Sequence, residues 1–246
     1  MFTNALSNPV YYELIHNNPD IKNLVEYIEN ENTLTMRKMT HEINNALTLI
    51  NSSLQIIESS HPDVKNFKYW NSTMEDMHYL ITFMSEISVY NNGGNLLSPS
   101  PTDVSEMING ILSSFSVLNK NIRLSFNNPN HIPVILSDAT KLRQVFINII
   151  KNSFEALEGI PSPYIHISLE YDKNSEKIQI MIKDNGCGIP PEHIETIFSP
   201  LVTYAKSGNG LGLSISKKII EAHKGTINVT STPENGTTFT IELPIK

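Results

Sequence analysis

The sequence predicts an α+β protein: a two-helix hairpin that pairs with a second copy as a dimeric four-helix bundle, then an α/β sandwich whose mixed sheet is covered by helices on one face. Three observations carry this prediction. Apolar residues recur at three- and four-residue steps from about Thr33 to Met84. The stretch "NNGGNLLSPSPTD", rich in Gly, Pro, Ser and Asn, then breaks the pattern. Beyond it, short β-rich runs are interspersed with helical ones.

In the first part, Met39, Ile43, Ala46, Ile50, Leu54 and Ile57 form one stripe of a long helix. Pro62, in "SSHPD", interrupts it, and Phe67, Trp70, Met74, Met77, Ile81 and Met84 repeat the spacing on a second helix. Two helices have too little mass to cover both stripes, and a second hairpin supplies the cover. The expected organisation is a short segment over 1–32, the hairpin over 33–92, a linker over 93–103 and a second domain over 104–246.

In that domain "VSEMINGILSSF" reads as a helix and "IRLSF" as a strand. "ATKLRQVFINIIKNSFEAL" is a helix with Leu142, Val145, Phe146, Ile149 and Ile150 on its buried side. "YIHISLEY", "KIQIMIKD", "TINVTS" and "TTFTIELP" read as strands, with the helix "GLSISKKIIEAH" between the second and third.

Composition narrows the function classes. Of 246 residues 39% are hydrophobic and 17% charged, as in an ordinary folded protein. The net charge of −7 argues against binding nucleic acid or an anionic membrane surface. No apolar run approaches the roughly 18 residues of a membrane span, and "MFTNALSNPVYYEL" lacks a signal peptide's basic start and apolar stretch. The expectation is a cytoplasmic protein without a membrane span. The single cysteine, Cys187, excludes an internal disulfide framework and fits a reducing compartment.

Three stretches ask for a chemical reading. "DNGCGIP" follows the apolar run "IQIMI", so Asp184 ends a strand where a carboxylate can fix an amine donor. Gly186 and Gly188 follow it, where a side chain would fill the space beside a ligand; a plain tight turn would look similar. Asn148 and Asn152 lie four residues apart on one helix face, either as a solvated face or as amide oxygens for a hard cation such as Mg²⁺. "SGNGLGLSISKKIIEAH" runs Gly208, Gly210 and Gly212 straight into a helix, which suits a phosphate cradle or a hinge.

Taken in order and spacing, "HEINNALTLI", "NIIKNSFEAL", "DNGCGIP", "IFSPLVTYAKSGNGLGLSI" and "NGTTFTIELP" resemble the conserved boxes of sensor histidine kinases. The resemblance covers about residues 33–246. It implies a dimerisation and phosphoacceptor hairpin, followed by an ATP-binding domain of the kind shared with gyrase, the Hsp90 chaperone and MutL. It further implies that His41 is the phosphoacceptor nucleophile, that Glu42 orients its ring and takes its proton, and that Asn45 positions water for phosphatase chemistry. On the same footing Asn152 holds Mg²⁺ with Asn148 in support, and Asp184, Gly186 and Gly188 receive adenine. Lys206, Gly208, Gly210, Leu211 and Gly212 contact phosphates, and Thr237 and Thr238 line the adenine pocket. The implied cofactors are ATP and Mg²⁺, and the implied partners are a second copy and the receiver domain of a response regulator.

The sequence departs from the family pattern at Asn44 and Ala46, where a basic residue and a proline are usual, and at Leu201, where a second aromatic is common. A second reading therefore stays open: a nucleotide-binding phosphatase or phosphotransfer scaffold without autokinase activity. A serine kinase of the anti-sigma type uses the same ATP fold, but the long hairpin with "HE" speaks against it.

Overall fold

The computed structural model describes residues 18–92, 97–118, 121–128, 132–204 and 208–245. They belong to two units, divided at Asn91 and Asn92.

The first unit is built on α1 (Pro19–Ser60), a short 3-10 turn over Pro62–Asn66, and α2 (Trp70–Asn92). Helix α1 starts 14 residues before the Thr33 expected from the apolar spacing. Its start follows local chemistry: the Asn18 side chain accepts from the amides of Asp20 and Ile21, and Pro19 occupies the first turn, where its missing N–H costs nothing. The polar run "ENENT" over 29–33 interrupts the stripe without breaking the helix. At the other end the His61 amide bonds Ile57 O, and Pro62 turns the chain back.

Thr40 on α1 and Met77 and Met84 on α2 are buried, as is Val64 in the turn between them. The ends are tied by polar contacts. Arg37 Nη2 donates to Asn91 O at 3.3 Å, and Glu58 accepts from Trp70 Nε1 at 3.2 Å and pairs with Lys65 at 2.7 Å. The expected stripe divides: Leu54 is half-buried in the hairpin, whereas Ile43, Ile50 and Ile57 remain 41–48% exposed on the unit's own surface.

The second unit contains α3 (Val104–Leu118), α4 (Ala139–Ala156), α5 (Pro191–Ile194) and α6 (Gly212–Ala222). Its five-stranded sheet has the order β2 (Arg123–Asn127), β4 (Tyr164–Asp172), β5 (Lys177–Asp184), β7 (Gly236–Pro244), β6 (Thr226–Thr232). Only the β2–β4 pair is parallel, so the sheet is mixed. Ile165, Ile167, Leu169, Ile178, Ile180, Ile182, Phe239, Ile241 and Leu243 alternate onto one face and are buried there. Against them α4 packs Leu142, Val145, Phe146, Ile149 and Ile150, each with no exposed surface. Each such side chain contributes about 1.5–3 kcal/mol of transfer free energy. The α+β class and the one-sided helical cover follow directly from this alternation.

Two short strands were not foreseen. β1 (Ser100–Thr102) pairs antiparallel with β3 (Ile135–Ser137), so the second half of the stretch read as linker is built into this unit. The same segment is strapped to the start of α4. Asp138 Oδ2 accepts from Ser98 N at 3.1 Å while Oδ1 caps the helix through Lys141 N at 3.1 Å. The Asp138 amide donates to His223 Nε2 at 3.0 Å, and His223 Nδ1 meets Ile219 O at 2.7 Å, joining the α4 start to the α6 end.

Candidate functional site

Helix α4 is the spine of the site, because three of its residues touch three separate pieces of chain. Near its middle, half-buried Asn148 lies against Gly212: a Cβ on that glycine would collide with the Asn148 amide. Asn148 Nδ2 also donates to Ser216 Oγ at 3.0 Å. Its side chain therefore fastens the first turn of α6 to α4. One turn on, Asn152 is half-buried on the same face. Next to it Ser153, buried, donates to Asp184 Oδ2 at 3.1 Å. At the C-terminal end, Ala156 O accepts from the Cys187 amide at 3.0 Å.

Asp184 ends β5, with only 1% of its surface exposed. Oδ1 accepts from the amides of Gly186 at 2.9 Å and Thr237 at 3.1 Å. Burial pushes its carboxyl above the usual carboxylate range, and these amides and the Ser153 hydroxyl pull against that. A desolvated carboxylate with a lone pair to spare is a strong acceptor for an amine donor.

The glycines are closely surrounded by other parts of the chain. A Cβ at Gly186 would stand 2.7 Å from Ala156 O, and one at Gly188 would run into Thr232 O. Gly188 also has φ +71°, in the left-handed region that side chains disfavour. These two residues let the loop pass between the end of α4 and the β6–β7 turn. Gly210, at φ +70°, would meet the Val202 backbone, and its carbonyl accepts from Leu201 N at 3.0 Å. Gly208 is open, with Thr203 Oγ1 at 4.0 Å. Helix α6 has no side-chain cap, and its N-terminus is approached by this small-residue segment. Leu211 is buried, and its amide donates to Asn209 Oδ1 at 3.2 Å. Lys206 lies outside the described residues.

The segment before the glycines is anchored by aromatics. Phe198 meets Phe239 edge-on at 6.5 Å, with the Lys217 ammonium 5.7 Å above its ring. Leu201 is exposed and carries φ +63°, while the aromatic contact comes three residues later. Tyr204 stacks on His193 at 3.6 Å and shares a 2.9 Å bond with Thr196.

In the other unit His41, Glu42 and Asn45 are all exposed on α1. Asn45 Nδ2 lies 3.2 Å from His41 Nδ1, one helical turn away. Thr237 contributes its amide to Asp184 and its hydroxyl to Ser231 at 2.9 Å, and Thr238 is half-buried on the sheet.

Residues missed by the motif spacing are Ser153, Ala156 and Ser231, the last accepting from Ile189 N at 2.8 Å. For Ser153 a signal existed: it continues the stripe of Leu142, Val145, Phe146, Ile149 and Ile150, so the helical period puts a hydroxyl on an apolar face.

Residues 137–246 match the family model described as histidine kinase-, DNA gyrase B- and HSP90-like ATPase. The sensory histidine kinase/phosphatase NtrB of Vibrio alginolyticus is 30% identical over 220 residues, covering 86% of this chain and 62% of its own. Sporulation kinase A of Bacillus subtilis (strain 168) is 32% identical over 218 residues, covering 85% of this chain and 34% of its own. The chain thus spans about three fifths and one third of these two relatives. Among solved structures, the catalytic domain of the histidine kinase ThkA is 32% identical with a TM-score of 0.53, covering 60% of this chain and 96% of that one. ThkA in complex with the response regulator TrrA is 27% identical with a TM-score of 0.63, covering 92% of this chain and 66% of that one. The chain carries a catalytic core of the sensor histidine kinase type, with the histidine kinase-, DNA gyrase B- and HSP90-like ATPase domain over residues 137–246.

Proposed function

We propose that this chain is an ATP-dependent protein histidine kinase that phosphorylates itself on His41, passes the phosphoryl group to an aspartate of a response-regulator receiver domain, and also acts as a phosphatase of that regulator. The observation that carries the reading is the Asp184 carboxylate, buried yet left with accepting capacity, at the head of the loop that α4 supports. Adenine's amino group fits that acceptor. The triphosphate fits the start of α6, which has no side-chain cap and where first-turn amides and the helix dipole favour an anion. Asn152 is assigned to Mg²⁺ and Lys206 to the phosphates. Asn152, half-buried on α4, would offer the ion a neutral amide oxygen, and the ion would offset the charge of the phosphates. Asn148, already bonded to Ser216, supports this shell by holding α6 in place.

At His41 the Asn45 amide governs which ring nitrogen is free. With Nδ2 donating to Nδ1, the ring proton sits on Nε2; with the amide turned over, Oδ1 accepts from Nδ1–H and Nε2 becomes the free lone pair. Nε2 then attacks the γ-phosphorus in line, the bond to the ADP oxygen breaks, and Glu42 receives the Nδ1 proton. In the reverse sense, Asn45 holds the water that hydrolyses the receiver's acyl phosphate. NtrB's description as a kinase/phosphatase and the ThkA–TrrA complex support both activities and the receiver partner. Exposed Leu49 and Ile56 continue the His41 face down α1 and offer the receiver apolar anchors.

A homodimer follows from Ile43, Ile50 and Ile57, whose spacing of seven residues sets an apolar seam on the outside of a lone hairpin. No described helix is long and apolar enough to cross a membrane, and the cytoplasm is the proposed location.

The test is incubation with γ-labelled ATP and Mg²⁺, followed by acid and alkali treatment. Acid-labile, alkali-stable label is expected, lost in His41→Gln while ATP binding stays within about twofold. Label retained in His41→Gln would sink the phosphoacceptor assignment. Intact ATP binding without any label would favour the scaffold reading.

A further inference from the structure

Ser153 is the polar member of the buried face of α4, 1% exposed among isoleucines and a phenylalanine. A hydroxyl in such a place is costly unless it is bonded, and its partner is the Asp184 carboxylate. The two oxygens of that carboxylate are engaged differently. Oδ1 accepts two backbone N–H groups, which use its in-plane capacity; Oδ2 accepts one bond, from Ser153, and keeps one lone pair.

We propose that Ser153 is a positioning residue that sets purine selectivity: by giving its proton to Asp184 Oδ2 it leaves acceptors, and no donor, to face the base, which selects a 6-aminopurine over a 6-oxopurine. The proposal rests on the ATP reading of this site and deepens it. Three consequences follow from donor and acceptor counting. A 6-amino group donates into the remaining lone pair. A 6-oxo group sets an acceptor against an acceptor, a mismatch that repels. A purine with no group at that position leaves the lone pair unpaired. Without the serine hydroxyl, Oδ2 is free to turn or to take the proton that its buried surroundings favour, and a protonated Oδ2 donates toward a 6-oxo group. Loss of the hydroxyl should therefore narrow the choice between the two bases and leave the triphosphate contacts as they are.

The experiment is calorimetric titration of the full chain, with Mg²⁺, using ATP, inosine triphosphate and purine riboside triphosphate. It is repeated on Ser153→Ala and on Ser153→Thr, which keeps a hydroxyl. For Ser153→Ala, ATP affinity is expected to fall about tenfold, the size of one hydrogen bond to a charged group. The preference for ATP over inosine triphosphate should narrow by at least as much, and affinity for purine riboside triphosphate should move less than about twofold. Ser153→Thr should recover most of the ATP affinity. Should Ser153→Ala fail to fold, Ser153→Cys, of similar size and a weak donor, is expected to shift the same ratios in the same direction. Equal losses for all three nucleotides, or unchanged ATP affinity, would overturn the proposal by reducing the hydroxyl to packing. An unmodified chain that binds none of the three would overturn the ATP reading itself, an outcome separate from either.

Discussion

The two units handle their functional side chains in opposite ways. On the hairpin His41 stands in solvent, and its ring meets the side-chain amide of Asn45, on the same helix. In the sheet unit Asp184 is closed in by a hydroxyl from α4, an amide from its own loop and an amide from β7. The first arrangement suits a group that must be reached by different molecules in turn. The second suits one that must present the same few lone pairs each time, with the organisation already done before binding. Apolar surface divides in the same way: the sheet unit seals its isoleucines, while the hairpin leaves Ile43, Ile50 and Ile57 outside.

The largest effect should come from striking the open surface. Ile50→Asp puts two charges, one per copy, into the proposed seam and removes two buried isoleucines. A loss of at least about 5 kcal/mol of association is expected. Sedimentation should show monomers with helicity retained and ATP binding unchanged; a persistent dimer would place the seam elsewhere. A smaller effect should come from the closed unit. Gly188→Ala must accommodate φ +71° and a collision with Thr232 O, so a loss of about 2–4 kcal/mol in denaturant unfolding of that unit is expected, with the hairpin unaffected. Equal stability would show that the loop can move aside.

The smallest effect concerns pH. The Asp184 carboxyl sits above its usual range because of burial, so the folded chain binds this proton before the unfolded chain does. Its contribution to the stability of the unliganded fold is therefore present below the ordinary carboxylate value and lost as pH rises through the raised one. In the proposed nucleotide site the ionised form accepts the base's amino group, so binding should change the other way, weakening by up to about tenfold per pH unit below the raised value. Asp184→Asn should flatten that dependence; an unchanged slope would assign it to another group.

Much of this contrast could be read from the chain. Period-two alternation in "YIHISLEY" and "KIQIMIKD" is dictated by a sheet with one wet face, and the 3.6 period of α4 by the same core, so these elements were legible. Asp184 stood out because a charge ending an apolar strand has few bland explanations. What was hidden depended on long-range company. Three-residue strands such as β1 and β3 are too short to show a period, and Pro101 disguised one of them. The start of α1 was masked by "ENENT", whose polarity is harmless on an exposed helix. The glycines were visible in the sequence, but their neighbours, Ala156 and Thr232, lie 30 and 44 positions from Gly186 and Gly188 and could not be named without the fold. Ser153 was visible as an oddity on its stripe, but its meaning required Asp184 beside it.

The bond between Asp184 and the Thr237 amide spans 53 positions, and the intervening chain holds the glycine segment, α6 and β6. Closing a loop of that length costs roughly 3.5 kcal/mol of chain entropy in its length-dependent part, recovered only when β7 zips against β5. During synthesis the chain is read from its N-terminus, so α1, with His41, emerges long before β7. A nascent chain thus displays His41, the proposed phosphoacceptor, for an interval in which Asp184 holds the Gly186 amide but still lacks that of Thr237.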